Sequence, residues 1–184
     1  MYYFLTQNLV DDQDCAEISG HNAITSQYLW TAGHRFDTEL PLLELDLDLS
    51  EGNTMPDFFD TSVPVMLQKM IDLLKKMGID NIETYPVLLR DNLDGNEYLN
   101  YSAINIIGAI DAADRALSRY EPDSFGEPDF ESITIDSEKA GDLKIFRLLT
   151  GPDLIVVNQQ VADALLSEAL TGVMIVPTED YSEI

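Results

Sequence analysis

The sequence contains very little cysteine and histidine. Its 184 residues include one cysteine, Cys15, and two histidines, His21 and His34. A disulfide within the chain needs two cysteines, and a thiolate metal site needs paired cysteines, so both are excluded. A single cysteine suits a reducing compartment. We therefore predict a cytoplasmic protein with no bound metal and no other cofactor.

Long apolar runs are also missing. No stretch approaches the roughly 18–20 apolar residues that a membrane-spanning helix needs. The opening MYYFLTQNLVDDQD has neither the basic start nor the long apolar stretch of a secretory signal. We expect a chain that is neither exported by a classical signal nor embedded in a membrane.

Basic residues are scarce compared with acidic ones. Ten Lys and Arg stand against 34 Asp and Glu, which gives a net charge of -24. The excess is spread along the chain, with -11 over residues 1–92 and -13 over residues 93–184. Because phosphate backbones are bound through Lys and Arg, this surface disfavours nucleic acids and anionic membranes as partners. It favours a basic protein partner.

Motifs that carry catalysis or bind nucleotides are absent from the sequence. There is no G-x-S-x-G nucleophile elbow, no G-x-G-x-x-G and no G-x-x-x-x-G-K-[ST]. The segment 91–97 resembles a calcium loop, but aligning Gly95 with the obligatory glycine puts Arg90 at the first ligand and Tyr101 at the bidentate acid. We predict a non-enzymatic protein, with a hydrolase that uses paired carboxylates as an alternative.

The hydrophobic pattern predicts one α+β domain over residues 1–184, with a mostly antiparallel sheet. Two amphipathic helices are expected at about 62–77, from Thr61 or Ser62 to Gly78, and at 159–170, capped by Asn158. Strands are predicted at 2–9, 43–49, 83–90, 97–107, 130–136, 143–149, 154–157 and 173–176, and a helical turn at 111–118. Residues 15–39 are expected to be irregular.

The strand 43–49 carries the one acidic constellation with defined geometry. Its strict alternation puts four leucines on one face and Glu44, Asp46 and Asp48 on the other, with Glu51 just beyond. No basic residue is near them in sequence. The three carboxylates could protect an exposed strand from edge-to-edge aggregation, form a ridge for a basic partner, or bind a metal. We place the partner on this ridge, with the loop 121–131 as a candidate extension.

Several motifs resemble immunity-protein family eleven of bacterial polymorphic toxin systems. Met55-Pro56-Asp57-Phe58 is similar to the step before the family's first helix, and Lys144-Ile145-Phe146-Arg147-Leu148 is similar to its D-I-F-R-L. Ile155-Val156-Val157-Asn158 then leads into a helix that ends Leu170-Thr171-Gly172. The chain departs from the family pattern at Lys144, Asn158, Ala169 and Ile175. The resemblance covers residues 40–178 and is best in the last third, whereas residues 1–40 resemble no known family.

Family resemblance implies a small α+β protein that neutralises a toxin encoded by the adjacent gene, without catalysis. This agrees with the acidic composition and the lack of catalytic motifs, so we expect the cognate toxin as partner. Two alternatives stay open. One is a nucleic-acid mimic that occupies a host nucleic-acid-binding protein, and the other is the hydrolase with paired carboxylates.

Overall fold

Two β-sheets and a small hairpin make up most of the fold. The computed structural model describes residues 1–8, 15–20, 29–49, 54–122 and 128–183. The strands are β1 (Tyr2–Gln7), β2 (Glu17–Ser19), β3 (Leu43–Asp48), β4 (Phe58–Phe59), β5 (Val65–Leu67), β6 (Ile82–Asp91), β7 (Glu97–Ile106), β8 (Ala109–Ile110), β9 (Arg119–Pro122), β10 (Pro128–Ser132), β11 (Ile145–Leu148), β12 (Gly151–Asn158) and β13 (Val173–Pro177). The helices are α1 (Gln68–Lys76), α2 (Ser137–Ala140) and α3 (Gln159–Ser167), followed by a 3-10 segment, Thr178–Glu183. The predicted α+β class is confirmed.

The six-stranded sheet has the order β2-β3-β6-β7-β5-β4. Strands β3 and β6 are parallel, and the other neighbours are antiparallel. The alternation in β3 has the predicted result, because Leu43, Leu45 and Leu47 are buried against Val87 and Leu89 of β6. The hairpin β6–β7 also forms where the Asp94-Gly95 turn predicted it.

The five-stranded sheet has the order β13-β1-β12-β11-β8, so the N-terminal strand lies inside it. Strand β1 pairs antiparallel with both β12 and β13. The segment 29–36 also packs closely. Trp30 is 2% exposed, and its ring makes edge-to-face contacts with Phe36 and Tyr85 over one face of the six-stranded sheet. The described part of residues 1–40 therefore contributes to the core.

The largest core lies between the two sheets and the helices α1 and α3. It joins Leu5 and Ile155 of the five-stranded sheet to Met66 and Ile104 of the six-stranded sheet. The helices add Met70, Ile71, Leu74, Val161, Ala162 and Leu165. A second core contains Trp30, and a third lies beneath α2 and the 3-10 segment. These two cores cover the outward faces of the sheets.

Helix α1 begins six residues later than its spacing predicts. Residues 65–67 form strand β5 on β7, and the helix starts at Gln68 with Leu67 as an N-cap that lacks a side-chain hydrogen bond. The Thr61 hydroxyl does not cap the helix and donates to the Val63 carbonyl instead. Buried β-branched residues around Pro64 gain more from sheet pairing than from a first helical turn. Lys75, Lys76 and Gly78, at φ +75°, end the helix as expected.

Other predicted boundaries shift by smaller amounts. Asn158 caps α3 by accepting from the Val161 N–H at 3.0 Å, but the helix ends at Ser167 and not at residue 170. Residues 111–118 form a turn around Asp114 and no helix. Strand β10 spans Pro128–Ser132, whereas the predicted strand was 130–136. Strand β2 lies within the segment expected to be irregular.

Candidate partner-binding surface

The outer side of β3 presents the predicted carboxylates. Glu44 and Asp46 are exposed, and Asp48 is half-buried. Their leucine neighbours face the core, so side-chain alternation fixes the three acids on a rigid strand. Glu51 lies outside the described residues.

Strand β3 is paired on both sides over residues 46–47, which bears on the interpretation of the acids as protection of an exposed edge. It pairs with β2 on one side, where Ser19 lies opposite Asp46, and with β6 on the other. Charges that protect an edge strand would be found on a strand with unpaired backbone groups. Because β2 pairs with β3 at Asp46 and Asp48, edge protection is not needed there, whereas Glu44 precedes the part of β3 that pairs with β2.

A basic residue does lie beside these acids, contrary to the sequence-based expectation. Arg90 is opposite Asp46 on β6, and its guanidinium lies 3.6 Å from Glu44 and 3.2 Å from Glu97. Both ion pairs are about half exposed, so each contributes at most about 1 kcal/mol of stability. Arg90 therefore reduces the repulsion among the acids and connects β3 to β7.

Two further acids belong to this surface and were missed from the sequence. Glu17 of β2 pairs directly with Asp48, and Glu97 of β7 pairs with Arg90. We call the resulting surface the acidic face. It consists of Glu17, Glu44, Asp46, Asp48, Glu97 and the single cation Arg90. The hairpin register could have identified Glu97, but β2, at three residues, is too short for its alternation to reveal Glu17.

The cysteine, the histidines and the calcium-like segment were the other features noted in the sequence, and those that the structure describes make structural contacts. Cys15 is 6% exposed and forms an isolated bridge with Thr54. His34 accepts a hydrogen bond at its carbonyl from Asn105 at 2.8 Å, and His21 lies outside the described residues. The Asp91–Asn96 segment is a tight turn, in which Asp91 accepts from the Leu93 N–H at 2.8 Å. Among the described residues, no cluster of three or more His, Cys, Asp or Glu has the arrangement of a metal site.

Asp57 and Thr171, which belong to two of the motifs that resemble the family, contact each other. The Asp57 carboxylate accepts from the Thr171 N–H at 2.8 Å, and the Asp57 N–H donates to the Thr171 carbonyl at 2.8 Å, across 114 residues. The Pro56 carbonyl accepts from the buried Tyr101 hydroxyl at 3.0 Å. These motifs thus join the segment that precedes β4 to the turn that follows α3.

A polar cleft of about 350 Å³ lies next to another motif residue, Arg147. Asp60 and Asp153 line the cleft, and Arg147 is 1% exposed and donates to the Asp153 carbonyl at 3.2 Å. The Thr6 hydroxyl donates to Asp60 at 2.8 Å. Two carboxylates do share this cleft, but Asp60 accepts from Thr6 and the charge of Arg147 acts on it, which indicates a structural role.

Burial shifts the pKa of both Asp60 and Arg147. Burial raises the pKa of the Asp60 carboxyl, and the Thr6 hydrogen bond and the Arg147 charge partly oppose that rise. Burial lowers the pKa of the Arg147 guanidinium, while Asp60 and Asp153 oppose the change. Each group therefore stabilises the ionised form of the other.

The sequence matches a family model almost throughout. The model of the immunity protein family (Imm11) matches residues 10–180, so the chain belongs to this family of immunity proteins. The match begins well before residue 40 and is not confined to the C-terminal third, in agreement with the packing of the N-terminal segment. No curated protein matches the chain. Among the helices of the described residues, none is long and apolar enough to span a membrane.

Proposed function

We propose that this protein neutralises a cognate toxin by binding it through the acidic face, without catalysis and in the cytoplasm. The toxin is encoded by the adjacent gene and presents a basic surface. The observation that carries the proposal is the position of five carboxylates around one arginine on four neighbouring strands, β2, β3, β6 and β7. Membership of an immunity protein family supplies the general role, and the charge of the face suggests the chemistry of the partner.

Rigid placement of the charges favours this surface over the acidic loops. The acids of β2, β3 and β7 are held by sheet pairing, so little conformational entropy is lost when a partner binds. A partner with complementary charge would be captured faster at low salt, and the attraction fades beyond about 8 Å at physiological ionic strength.

The role as an immunity protein is tested by co-expression with the product of the adjacent toxin gene. We expect a stable complex and rescue of growth. If the toxin gene is expressed and active but the protein neither binds it nor restores growth, the proposed function is wrong.

The surface is tested with the triple variant E44Q/D46N/D48N. Its fold should be retained, because exposed charge changes usually alter stability by less than about 0.5 kcal/mol each. The association rate with the toxin at low salt should fall about tenfold, with a smaller change in dissociation.

A control variant removes the same charge elsewhere. Glu138, Asp142 and Glu179 are exposed around the third core, on the side of the five-stranded sheet that faces away from the core between the sheets. The variant E138Q/D142N/E179Q should bind nearly at the wild-type rate. Equal slowing in both variants would mean that net charge, and not the acidic face, attracts the toxin.

A further inference from the structure

A leucine beside the acidic face is displaced by an irregularity in the pairing of β6 with β7. Leu89 pairs with Tyr98 and Val87 with Tyr101, so β7 uses three residue steps where β6 uses two. Such a β-bulge redirects the side chains of the longer strand. Leu99 lies within it and is 67% exposed, although Tyr101 returns to the core at 4% exposure.

Leu99 lies on the same side of the sheet as the carboxylates. Strand alternation places it on the side of Glu97, two residues earlier, and Arg90 connects Glu97 to Glu44 on that side. A second leucine, Leu93, is 68% exposed at the tip of the β6–β7 hairpin. The hairpin tip is fixed to the end of β3, because the Asn92 N–H donates to the Leu47 carbonyl at 3.0 Å.

This arrangement has the composition of a protein interface. Stable interfaces have an apolar centre whose side chains enter pockets of the partner, surrounded by charged and polar groups. Charge alone accelerates encounter, whereas buried apolar anchors chiefly slow dissociation. The acidic face supplies the charges, and the leucines supply apolar side chains on rigid backbone.

We infer that Leu99, supported by Leu93, is the apolar anchor by which the acidic face holds the toxin. The inference rests on the proposed function. The partner surface that fits is an apolar pocket bordered by Lys and Arg, because Leu99 lies two residues from Glu97 on the side of the sheet that carries the carboxylates. In this assignment the acids determine the association rate, and the leucines determine the dissociation rate.

The test compares L99S with L166S, using the purified toxin encoded by the adjacent gene as ligand. Leu166 lies on α3 and is 66% exposed, so the two substitutions remove equally exposed leucines. We expect L99S to raise the dissociation rate about tenfold or more with little change in association, and L166S to leave both rates near wild type. L93S should act in the same direction as L99S and serves as the second variant if L99S does not fold.

Three outcomes would overturn the inference. One is a wild-type dissociation rate for folded L99S, or for L93S if it is the variant used. Another is equal acceleration of dissociation by L166S. The third is a dimer of the free protein that L99S converts to monomer, since a second copy would then occupy the surface. These results differ from failure of the proposed function, in which the wild-type protein itself does not bind the toxin.

Discussion

Replacing Arg147 by Met should destabilise the protein strongly. Arg147 is 1% exposed on β11, in the core of the five-stranded sheet, and its charge faces Asp60 and Asp153. Methionine keeps most of the packing of the aliphatic stem and removes only the guanidinium. The variant therefore isolates the contribution of the charge.

The magnitude follows from what remains after the substitution. The hydrogen bond from Arg147 to the Asp153 carbonyl is lost, and a bond with a charged donor contributes about 1.5–3 kcal/mol. The Asp60 carboxylate also loses its counter-charge in a partly buried position. Relief of the desolvation of Arg147 offsets part of this loss. We expect a net destabilisation of about 3 kcal/mol at neutral pH, because a largely buried carboxylate that loses its compensating charge is costly.

Urea titration followed by fluorescence measures this change. Trp30 is the only tryptophan and is 2% exposed, so its emission should shift on unfolding. With an m-value of about 2 kcal/mol/M, the midpoint should fall by about 1.5 M. Circular dichroism at the same urea concentrations tests whether unfolding is two-state.

A double-mutant cycle with D60N identifies the cause. In the D60N background no carboxylate is left at position 60, so R147M should cost about 1 kcal/mol, a coupling of about 2 kcal/mol. An R147M variant within about 0.5 kcal/mol of wild type would refute the reasoning. So would additivity in the cycle, because the destabilisation would then not come from the loss of the counter-charge at Asp60.

Three further changes have defined outcomes. Because the folded state binds the Asp60 proton more tightly than the unfolded state, the contribution of this carboxyl is complete below the usual aspartate range and is lost as pH rises through the raised pKa. The stability of wild type relative to D60N should therefore fall as pH rises above the usual aspartate pKa of about 4 in urea titrations, and a rise would contradict the assignment. D57A should lower the free energy of unfolding by about 1–3 kcal/mol, because the Thr171 N–H loses its acceptor, and an unchanged urea midpoint would contradict this role. G33A should destabilise more than G95A in thermal melts, because both glycines have positive φ but only at Gly33 would a Cβ clash, 2.7 Å from another side chain; equal melting temperatures would refute the clash.

Local patterns predicted much of the secondary structure. The strict alternation of β3 and the Asp94-Gly95 turn depend on neighbouring residues, and both elements form as expected. The start of α1 was wrong, because residues 65–67 have helical spacing but lie beside β7 in the fold. Spacing cannot distinguish these outcomes when the competing partner is more than 30 residues away.

The candidate surface was also predicted only in part from the sequence. Alternation alone placed Glu44, Asp46 and Asp48 on one side of a strand, since side-chain direction is a property of extended backbone. Glu17, Arg90 and Glu97 join them only through strand pairing, and the bulge at Leu99 exists only in the register of β6 against β7.

The sequence by itself determined the acidic charge, the α+β class, the lack of common catalytic motifs and the direction of the β3 carboxylates. Each of these depends on composition or on spacing within one element. Only the tertiary structure decided that β3 lies inside a sheet, that Arg90 lies among the acids, that Asp57 contacts Thr171, and that the charge of Arg147 acts on Asp60. These features arise from contacts between residues far apart in the chain, which local pattern does not encode.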